Sequence, residues 1–391
     1  MTDLFNPTEE HRALRDMVRA FVEREVDPQA AEHDKLEKFN LPLFRKLGEL
    51  GLLGITVDER FGGAGMDPVA AVIAHEELSA ADPGFCLAYL AHSMLFVNNL
   101  ARNGDDAQRE RFLPRACQGD IVCGMAMSEP GAGTDVLGMQ TRAVRDGDGW
   151  VLDGSKMWIT NGALTDTELG DAFLVYARTS PGSRGVSLFL VEKGTPGFRL
   201  GQKIKDKLGM RASTTAELVF DGCRVPADNL VGSEGQAVIH MMRNLEIERL
   251  TLAAMSLGMA RRAIEVMNRH ASERKAFGQP IREYGQIQRH IAESYAEYMA
   301  GRSYVYQVAA SLALDSGGNR VDSDGVKLYC GTMAKHVADR AIQVLGGYGY
   351  VGEYQVERLW RDAKLIEIGG GTVEAHQKNI TRDLARLDKL R

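Results

Sequence analysis

The sequence predicts a multidomain α+β fold with a helical domain first, a β-domain in the middle and a helical bundle last. Its 391 residues exceed the length at which a single hydrophobic core usually stops growing. Apolar residues recur at helical spacing towards both ends, whereas short β-prone runs fill the middle. We therefore predict an N-terminal helical domain over residues 1–125, a central antiparallel β-barrel over 126–237 and a C-terminal four-helix bundle over 238–391.

The N-terminal domain is predicted from helical periodicity interrupted by turn residues. Leu14, Val18, Phe21 and Val22 recur at helical spacing until Pro28, where we expect the first helix to stop. Further helices are predicted where similar patterns lie between Gly-, Pro- and Asn-containing turns: 41–50, 68–81, 84–101 and 105–117.

The two remaining domains differ in the period of their apolar residues. Short strands bounded by turn residues are predicted over 149–154, 173–176, 186–191 and 216–220. Strands at this spacing without intervening helices favour a small antiparallel barrel or a sandwich. Long helical segments then follow with short connections, which favours an antiparallel bundle: 238–273, 284–314, 322–345 and 372–387.

Composition and charge exclude several classes of function. A formal net charge of -6 and a pI of about 5.9 argue against nucleic acid or an anionic membrane as the main partner. The five scattered cysteines and the lack of paired histidine motifs predict neither disulfides nor a metal site. No run approaches the length of a membrane span, and the N-terminal segment lacks the apolar core of a secretion signal. We therefore expect a cytoplasmic protein.

Glu248 is the most unusual residue of the predicted helix 238–273, because it falls on the apolar stripe. The other members of that stripe are Met241, Leu245, Leu252, Met255 and Met259. Burial would raise the pKa of this carboxyl group and make it a proton acceptor near neutral pH. The alternative is a rim carboxylate paired with Arg249 or another cation.

Two polar segments could contact a ligand. The turn 127–135 is rich in glycine and hydroxyl groups, so it could wrap an anionic or heteroaromatic ligand or simply form a surface loop. In the segment 156–162, Trp158 could stack on a flat ring, although tryptophan more often packs in a core.

Two further motifs lie near helix ends. Arg274 could bind a pyrophosphate with its planar guanidinium or complement the dipole of the preceding helix. Residues 347–352 match GxGxxG, but a predicted helix precedes them, whereas the dinucleotide-binding motif follows a strand and opens a helix. We therefore reject a Rossmann interpretation and predict a helix end close to a ligand or a partner subunit.

The segments 126–138 and 343–362, together with 156–161 and 274–279, resemble the acyl-CoA dehydrogenase family over nearly the whole chain. The resemblance implies the same order of domains, FAD between the β-domain and the bundle, and a homotetramer. It places around the flavin ring Met127, Ser128, Trp158 and Thr160. It assigns to the pyrophosphate and adenosine, across a dimer interface, Arg274, Phe277, Gln343, Gly346 and Gly347. Thr372 and Glu374 would also lie near the cofactor, and Thr134 would border the cofactor and the CoA thioester arm.

The sequence departs from the commonest family pattern at the catalytic position. Many members carry their base in a Tyr-Glu-Gly-Thr segment, where this chain has Gly369, Gly370, Gly371 and Thr372. Members of the isovaleryl and long-chain types place the base in an earlier helix just before an arginine. Glu248, which precedes Arg249, matches that second pattern, so the resemblance implies Glu248 as the catalytic base.

The resemblance also implies the substrate class and the reaction. It places Arg249, Gly369 and Gly370 at the substrate. The two glycines would leave room for a methyl group at C3 of the acyl chain, as in isovaleryl-CoA or citronellyl-CoA. The stretch 369–379 resembles the citronellyl-CoA type. The expected reaction is 2,3-dehydrogenation, with α-proton abstraction by Glu248, β-hydride transfer to flavin N5 and electrons passed to an electron-transfer flavoprotein. The alternatives are an acyl-CoA oxidase, which usually has a longer chain, and a non-catalytic flavin- or CoA-binding assembly protein.

Overall fold

The computed structural model describes residues 3–182, 185–315 and 317–386. Its N-terminal part is helical, as predicted. The helices are α1 (Glu9–Phe21), α2 (Asp27–Leu36), α3 (Leu41–Glu49), α4 (Pro68–Ala81), α5 (Pro83–Leu90), α6 (Asn99–Asn103) and α7 (Asp106–Gln118). The apolar faces of α1, α4 and α5 pack into one hydrophobic cluster with helices of the C-terminal bundle. Helical domain and bundle therefore share a core.

The prediction that the first helix stops at Pro28 is wrong. A π-helical turn over Val22–Val26 joins α1 to α2, and Pro28 lies in the first turn of α2. Proline fits a first helical turn because its fixed φ suits the helix. The first turn also needs no N–H from this residue for a hydrogen bond within the helix. The chain leaves the helical conformation at Glu37, whose φ of 49° is left-handed.

The run predicted as one helix over 84–101 is also interrupted by a π-helical segment. Residues Ala91–Asn98 form this segment, between α5 and α6. The whole run, Pro83–Asn103, is long and apolar enough to cross a membrane by length and composition, yet 83% of its apolar window is buried in the fold. It is therefore a core element of the folded chain.

The middle of the chain forms one eight-stranded sheet. Its strands are β1 (Cys123–Ala126), β2 (Arg142–Asp146), β3 (Gly149–Thr160), β4 (Ala172–Arg178), β5 (Val186–Glu192), β6 (Phe198–Lys203), β7 (Thr215–Pro226) and β8 (Leu230–Val231). The strand order is β6-β7-β3-β2-β4-β5-β8, and β1 pairs with β4. Most pairs are antiparallel, as predicted, but β4 pairs in parallel with β1 and with β2.

Strand β4 is buried on both faces. Leu174 and Tyr176 face a cluster shared with the N-terminal helices, whereas Phe173 and Val175 face the interior of the β-domain. A strand covered on both sides reads as a continuous apolar run without alternation. This double cover explains the uninterrupted apolar sequence of β4.

The C-terminal part is a bundle of long helices with a small hairpin. The elements are α8 (Ala237–Glu273), β9 (Lys275–Ala276), β10 (Gln279–Pro280), α9 (Gly285–Ser311), α10 (Arg320–Leu345), α11 (Val356–Ile366) and α12 (Val373–Leu384). Helix α11 adds to the four predicted helices.

The GxGxxG segment follows a helix and not a strand. Helix α10 ends at Leu345 and a 3₁₀ turn follows over Gly346–Tyr350. The rejection of a Rossmann motif is confirmed.

Candidate active site

Glu248 lies in the first half of α8 as a buried carboxyl group without a hydrogen-bond partner among the described residues. The residue is 7% exposed, and its Oε2 atom has no hydrogen-bond partner among the described residues. Burial raises the pKa of Glu248 to about 7, although the nearby cations Arg249 and Lys327 act in the opposite direction. Glu248 is therefore a base that is available at neutral pH. The alternative of a rim carboxylate paired with Arg249 does not describe it.

The three glycines before α12 lie against this carboxyl group. A Cβ atom built on Gly370 would be 3.5 Å from Glu248 Oε1 and 2.2 Å from Leu252 Cδ1. Gly370 also has a φ of +66°, a conformation that residues with side chains rarely adopt. Among the described residues, no acceptor meets the backbone N–H of Gly370. Position 370, where the resemblance expects a glutamate in many family members, therefore lies next to the carboxyl group of Glu248.

A group of buried charges surrounds the other side of Glu248. Arg249 forms an ion pair with Asp324, with 3.2 Å between Arg249 Nη1 and Asp324 Oδ1, and the same carboxylate contacts His376 Nδ1. His376 Nε2 lies 3.0 Å from the carbonyl oxygen of Gly371. Lys327 Nζ donates to that carbonyl oxygen at 2.8 Å. The ion pair favours a structural role for Arg249, and its predicted contact with substrate stays a prediction.

Asp324, Lys327 and His376 were not predicted as site residues. The only signal in the sequence is that Asp324 and Lys327 are three residues apart on one helix, a spacing that puts both on one face. Most such pairs face water. Only the packing of α10 against α8, α11 and α12 brings this face into the interior.

The residues expected around the flavin ring come together at the junction of β1 and β3. The backbone N–H of Met157 donates to Ser128 O at 2.9 Å, and Lys156 Nζ donates to Met127 O at 3.0 Å. Trp158 is 60% exposed and has a φ of 66°. An indole held outward in a strained backbone conformation is suited to cover a flat ring, so these residues fit a flavin. Trp158 therefore does not pack in the core, which was the alternative expectation.

The residues expected at the pyrophosphate and adenosine form a second group at the ends of α8 and α10. Arg274 lies 5.9 Å from the centre of the Tyr348 ring, which joins the two helix ends. Phe277 is 97% exposed at a φ of 49° in the β9–β10 turn. A Cβ atom on Gly346 or Gly347 would meet nothing within 4 Å, so a ligand could approach the backbone there. Gln343 is exposed on the last turns of α10.

The remaining predicted residues lie at the edges of these groups. Thr372 is the N-cap of α12, and its Oγ1 accepts a hydrogen bond from the N–H of Ala375 at 3.2 Å. Glu374 follows in the first turn of that helix, and Thr134 is exposed in the glycine-rich loop. Gly369 adjoins Gly370 in the wall beside Glu248. In residues 3–182, 185–315 and 317–386, no group of three or more His, Cys, Asp or Glu side chains could hold a metal ion.

The arrangement can remove a proton from a carbon acid. A buried carboxylate with a pKa near neutrality is suited to accept it, and a free backbone N–H beside it is suited to stabilise a developing oxyanion. Gly369 and Gly370 add no side chain to the wall beside Glu248, and the side chain of Leu252 lies against Gly370.

Comparison with protein families covers almost the whole chain. The family described as "Acyl-CoA dehydrogenase, N-terminal domain" matches residues 8–120, the middle domain of the same family matches 124–223 and its C-terminal domain matches 236–385. The three matches follow the order of helices, sheet and bundle in the fold.

Individual relatives agree with these matches. A mitochondrial isovaleryl-CoA dehydrogenase of Pongo abelii is 42% identical over 382 residues, which is 96% of this chain and 88% of that protein. The structure of butyryl-CoA dehydrogenase from Megasphaera elsdenii matches with a TM-score of 0.92 and 33% identity, covering 97% of this chain and 99% of that one. A glutaryl-CoA dehydrogenase from Mycobacterium smegmatis in complex with FADH2 matches with a TM-score of 0.90 and 30% identity, covering 98% and 96% of the two chains.

Proposed function

This chain belongs to the acyl-CoA dehydrogenase family and is an acyl-CoA dehydrogenase, and on that basis we propose that it oxidises a 3-methyl-branched acyl-CoA with Glu248 as the catalytic base. The observation that carries the proposal is the unpaired, buried carboxyl group of Glu248 beside Gly370. A pKa of about 7 lets this group accept a proton at neutral pH. The same pKa keeps it a weak enough base to release the proton afterwards.

We propose that the protein binds FAD. Met127, Ser128, Trp158 and Thr160 would hold the flavin ring, and the second group at the ends of α8 and α10 would hold the pyrophosphate and adenosine of a cofactor in a neighbouring subunit. When bound, FAD supplies a hydride acceptor at N5. The strongly exposed Phe277 supports this arrangement, because a large apolar side chain in that position gains stability when something covers it. A homotetramer is the proposed active form.

In the proposed reaction, Glu248 removes the proton from C2 of the acyl group. A hydrogen on the carbon next to a thioester is a weak acid until its carbonyl oxygen receives a hydrogen bond. The N–H of Gly370, which has no acceptor among the described residues, is the donor that we propose for this hydrogen bond. Because Glu248 is only 7% exposed, few water molecules compete with the substrate for contact with its carboxylate.

The substrate class follows from the wall beside the base. Gly369 and Gly370 add no side chain to it, so a methyl branch at C3 can be accommodated next to the reacting carbons. Isovaleryl-CoA and longer isoprenoid thioesters such as citronellyl-CoA are the proposed substrates. The similarity to isovaleryl-CoA dehydrogenases supports the branched class.

We propose an electron-transfer flavoprotein as the electron acceptor, and anaerobic mixing with a panel of acyl-CoAs tests the function. The flavin is expected to bleach fastest with 3-methyl-branched thioesters. Reoxidation should be fast with an electron-transfer flavoprotein and slow in air. Fast reoxidation in air would indicate an oxidase, and a flavin that no thioester bleaches would favour a non-catalytic binding protein.

A further inference from the structure

Lys327 is a buried lysine whose ammonium group binds backbone carbonyl groups. The residue lies on α10, is 1% exposed and donates to the carbonyl oxygens of Ile366 and Gly371, the second at 2.8 Å. These two carbonyl groups bound the turn that connects α11 to α12. Removing the donor would leave the buried carbonyl oxygen of Ile366 and the half-buried one of Gly371 with one hydrogen bond fewer, which is costly in an interior.

The turn held by Lys327 is the one that faces the base. Gly370 lies between the two carbonyl groups, and a Cβ atom on it would be 3.5 Å from Glu248 Oε1. Lys327 and Glu248 also interact electrostatically. Burial lowers the pKa of Lys327 to about 7 while it raises the pKa of Glu248 to about 7, and each group opposes the shift of the other.

The other charges near this pair have partners of their own. Arg249 is paired with Asp324, which also contacts His376, and Glu367 is paired with Lys335 and Lys364. The remaining group that interacts with Glu248 is the phenol of Tyr176 on β4, whose pKa is raised by burial. Lys327 is thus the buried cation that binds the turn itself and has no carboxylate in hydrogen-bonding distance among the described residues.

We infer that Lys327 is a positioning residue for proton abstraction: its ammonium group holds the 366–371 turn against Glu248 and sets the pH range in which Glu248 is a base. A nearby cation favours the ionised carboxylate, so the positive charge of Lys327 makes Glu248 available at lower pH. The kinetic consequence rests on the proposed function, whereas the effect on the titration of Glu248 does not.

Infrared titration of the substrate-free holoenzyme tests the inference without turnover. The carboxylic acid band of Glu248 is identified as the band that disappears in Glu248→Gln. In Lys327→Met its midpoint should move upwards by about one pH unit, the order expected for loss of one charge close by in a protein interior. An unchanged midpoint in a folded variant would overturn the inference.

A second variant and a matched control keep the test decisive. Lys327→Gln removes the charge but keeps an N–H donor for the turn, so it should show the same upward shift if Lys327→Met folds poorly. Lys207 is a control, since it is a half-buried lysine that also donates to two backbone carbonyl groups, Met210 O and Ser213 O, both at 2.8 Å. Lys207→Met should leave the Glu248 midpoint unchanged, and an equal shift there would make the effect a general result of destabilisation.

The rate of flavin reduction provides the kinetic arm. Its dependence on pH should move with the infrared midpoint in the Lys327 variants. If none of the acyl-CoAs reduces the flavin of the wild-type protein, the proposed function fails. The infrared titration would still decide the role of Lys327. If flavin reduction is normal but the rate profile and the midpoint stay unchanged in both variants, only the inference about Lys327 fails.

Discussion

At the scale of single residues, the site depends on one carboxyl group and on the absence of another. Glu248 was predictable because a carboxylate on an apolar stripe is anomalous, and because the glycine at position 370 leaves the more common position of the base vacant. The structure adds that the two positions meet, since a side chain on Gly370 would start 3.5 Å from Glu248 Oε1. Sequence spacing could not provide that distance, because Glu248 lies on α8 and Gly370 lies in the turn before α12, far along the chain.

The buried partners of the site were beyond prediction for a related reason. Asp324, Lys327 and His376 are ordinary polar residues by sequence, and they enter the interior only because α10 and α12 pack around the 366–371 turn. A charged residue is expected on the surface unless a partner is known. The partners here come from elements that are far apart in the chain.

Gly370→Glu should impair branched substrates more than straight ones. The new side chain would begin 2.2 Å from Leu252 Cδ1 and occupy the space next to C3, where a methyl branch needs room. We expect kcat/KM for isovaleryl-CoA to fall at least about tenfold further than kcat/KM for butyryl-CoA, the size of effect that one methylene group has in a pocket. Steady-state kinetics with both thioesters checks this.

Gly369→Ala is the matched control for that experiment. A Cβ atom on Gly369 would come no closer than 3.5 Å to any neighbour and adds a single methyl group to the same wall, so this variant should reduce the preference for branched substrates far less than Gly370→Glu does. An equal loss with both substrates in Gly370→Glu would contradict the explanation of the branched specificity.

At the scale of elements, the order of helices and strands was largely predictable and their interruptions were not. A π-turn shifts the apolar pattern of a helix only locally, so the π-helical segments at Val22–Val26 and Ala91–Asn98 left no clear signal in the sequence. The parallel pairs of β4 with β1 and β2 depend on contacts between distant segments. Helix α11 is short, and only its packing against α10 shows that it belongs to the bundle.

Helices α4 and α8 pack closely because α8 has a glycine at the contact. A Cβ atom on Gly258 would lie 2.2 Å from Ser79 Oγ and 2.3 Å from Glu76 O, which are on α4. We therefore predict that Gly258→Ala lowers the free energy of unfolding by about 1–3 kcal/mol through overpacking, despite the better helix propensity of alanine. Urea denaturation measures the change.

Gly285→Ala serves as the comparison for this prediction. Gly285 begins α9, and a Cβ atom there would meet nothing within 4 Å. Its stability should be equal to that of the wild type or slightly higher. If Gly258→Ala were as stable as Gly285→Ala, the close contact between α4 and α8 would not be a feature of the folded protein.

At the scale of the whole molecule, two buried histidines make folding sensitive to acid. Burial lowers the pKa of His75 and of His92 to about 4. The backbone N–H of Cys123 donates to His92 Nδ1 at 3.0 Å, so that nitrogen must be unprotonated, and His92 Nε2 can donate to Ala116 O at 3.0 Å. The folded protein therefore requires neutral His92.

The sign of the pH dependence follows from this requirement. An unfolded histidine binds a proton at about pH 6.5, whereas the folded one resists it, so stability is fully present above about pH 6.5 and is lost as the pH falls towards 4. Each histidine should contribute about 1.4 kcal/mol to the free energy of unfolding per pH unit in that window.

Urea midpoints between pH 7 and 4 should fall less steeply in His92→Gln than in wild type. His33→Gln, at a histidine near the surface, is the control and should keep the wild-type dependence of the urea midpoint on pH. The same dependence in His92→Gln as in His33→Gln would contradict the role of His92.

The residues proposed to bind the cofactor form two separate groups in the molecule. Trp158 belongs to the β-domain, whereas Arg274 and Phe277 lie at the far end of α8, and no hydrogen bond or ring contact joins the two groups among the described residues. In the proposed arrangement, a neighbouring subunit supplies the second group to each flavin. The resemblance of the sequence implies this division between subunits, and both the division and the tetramer stay proposals.

The most direct measurement for the account is anaerobic stopped-flow reduction of the flavin in Glu248→Gln. Glutamine has the shape of the glutamate but cannot take the C2 proton, so we predict normal FAD content, normal acyl-CoA binding and a reduction rate lower by roughly 10²–10⁴-fold. Glu265→Gln, on an exposed turn of the same helix, should reduce its flavin at the wild-type rate. A Glu248→Gln protein whose flavin is reduced within tenfold of the wild-type rate would show that another group is the base.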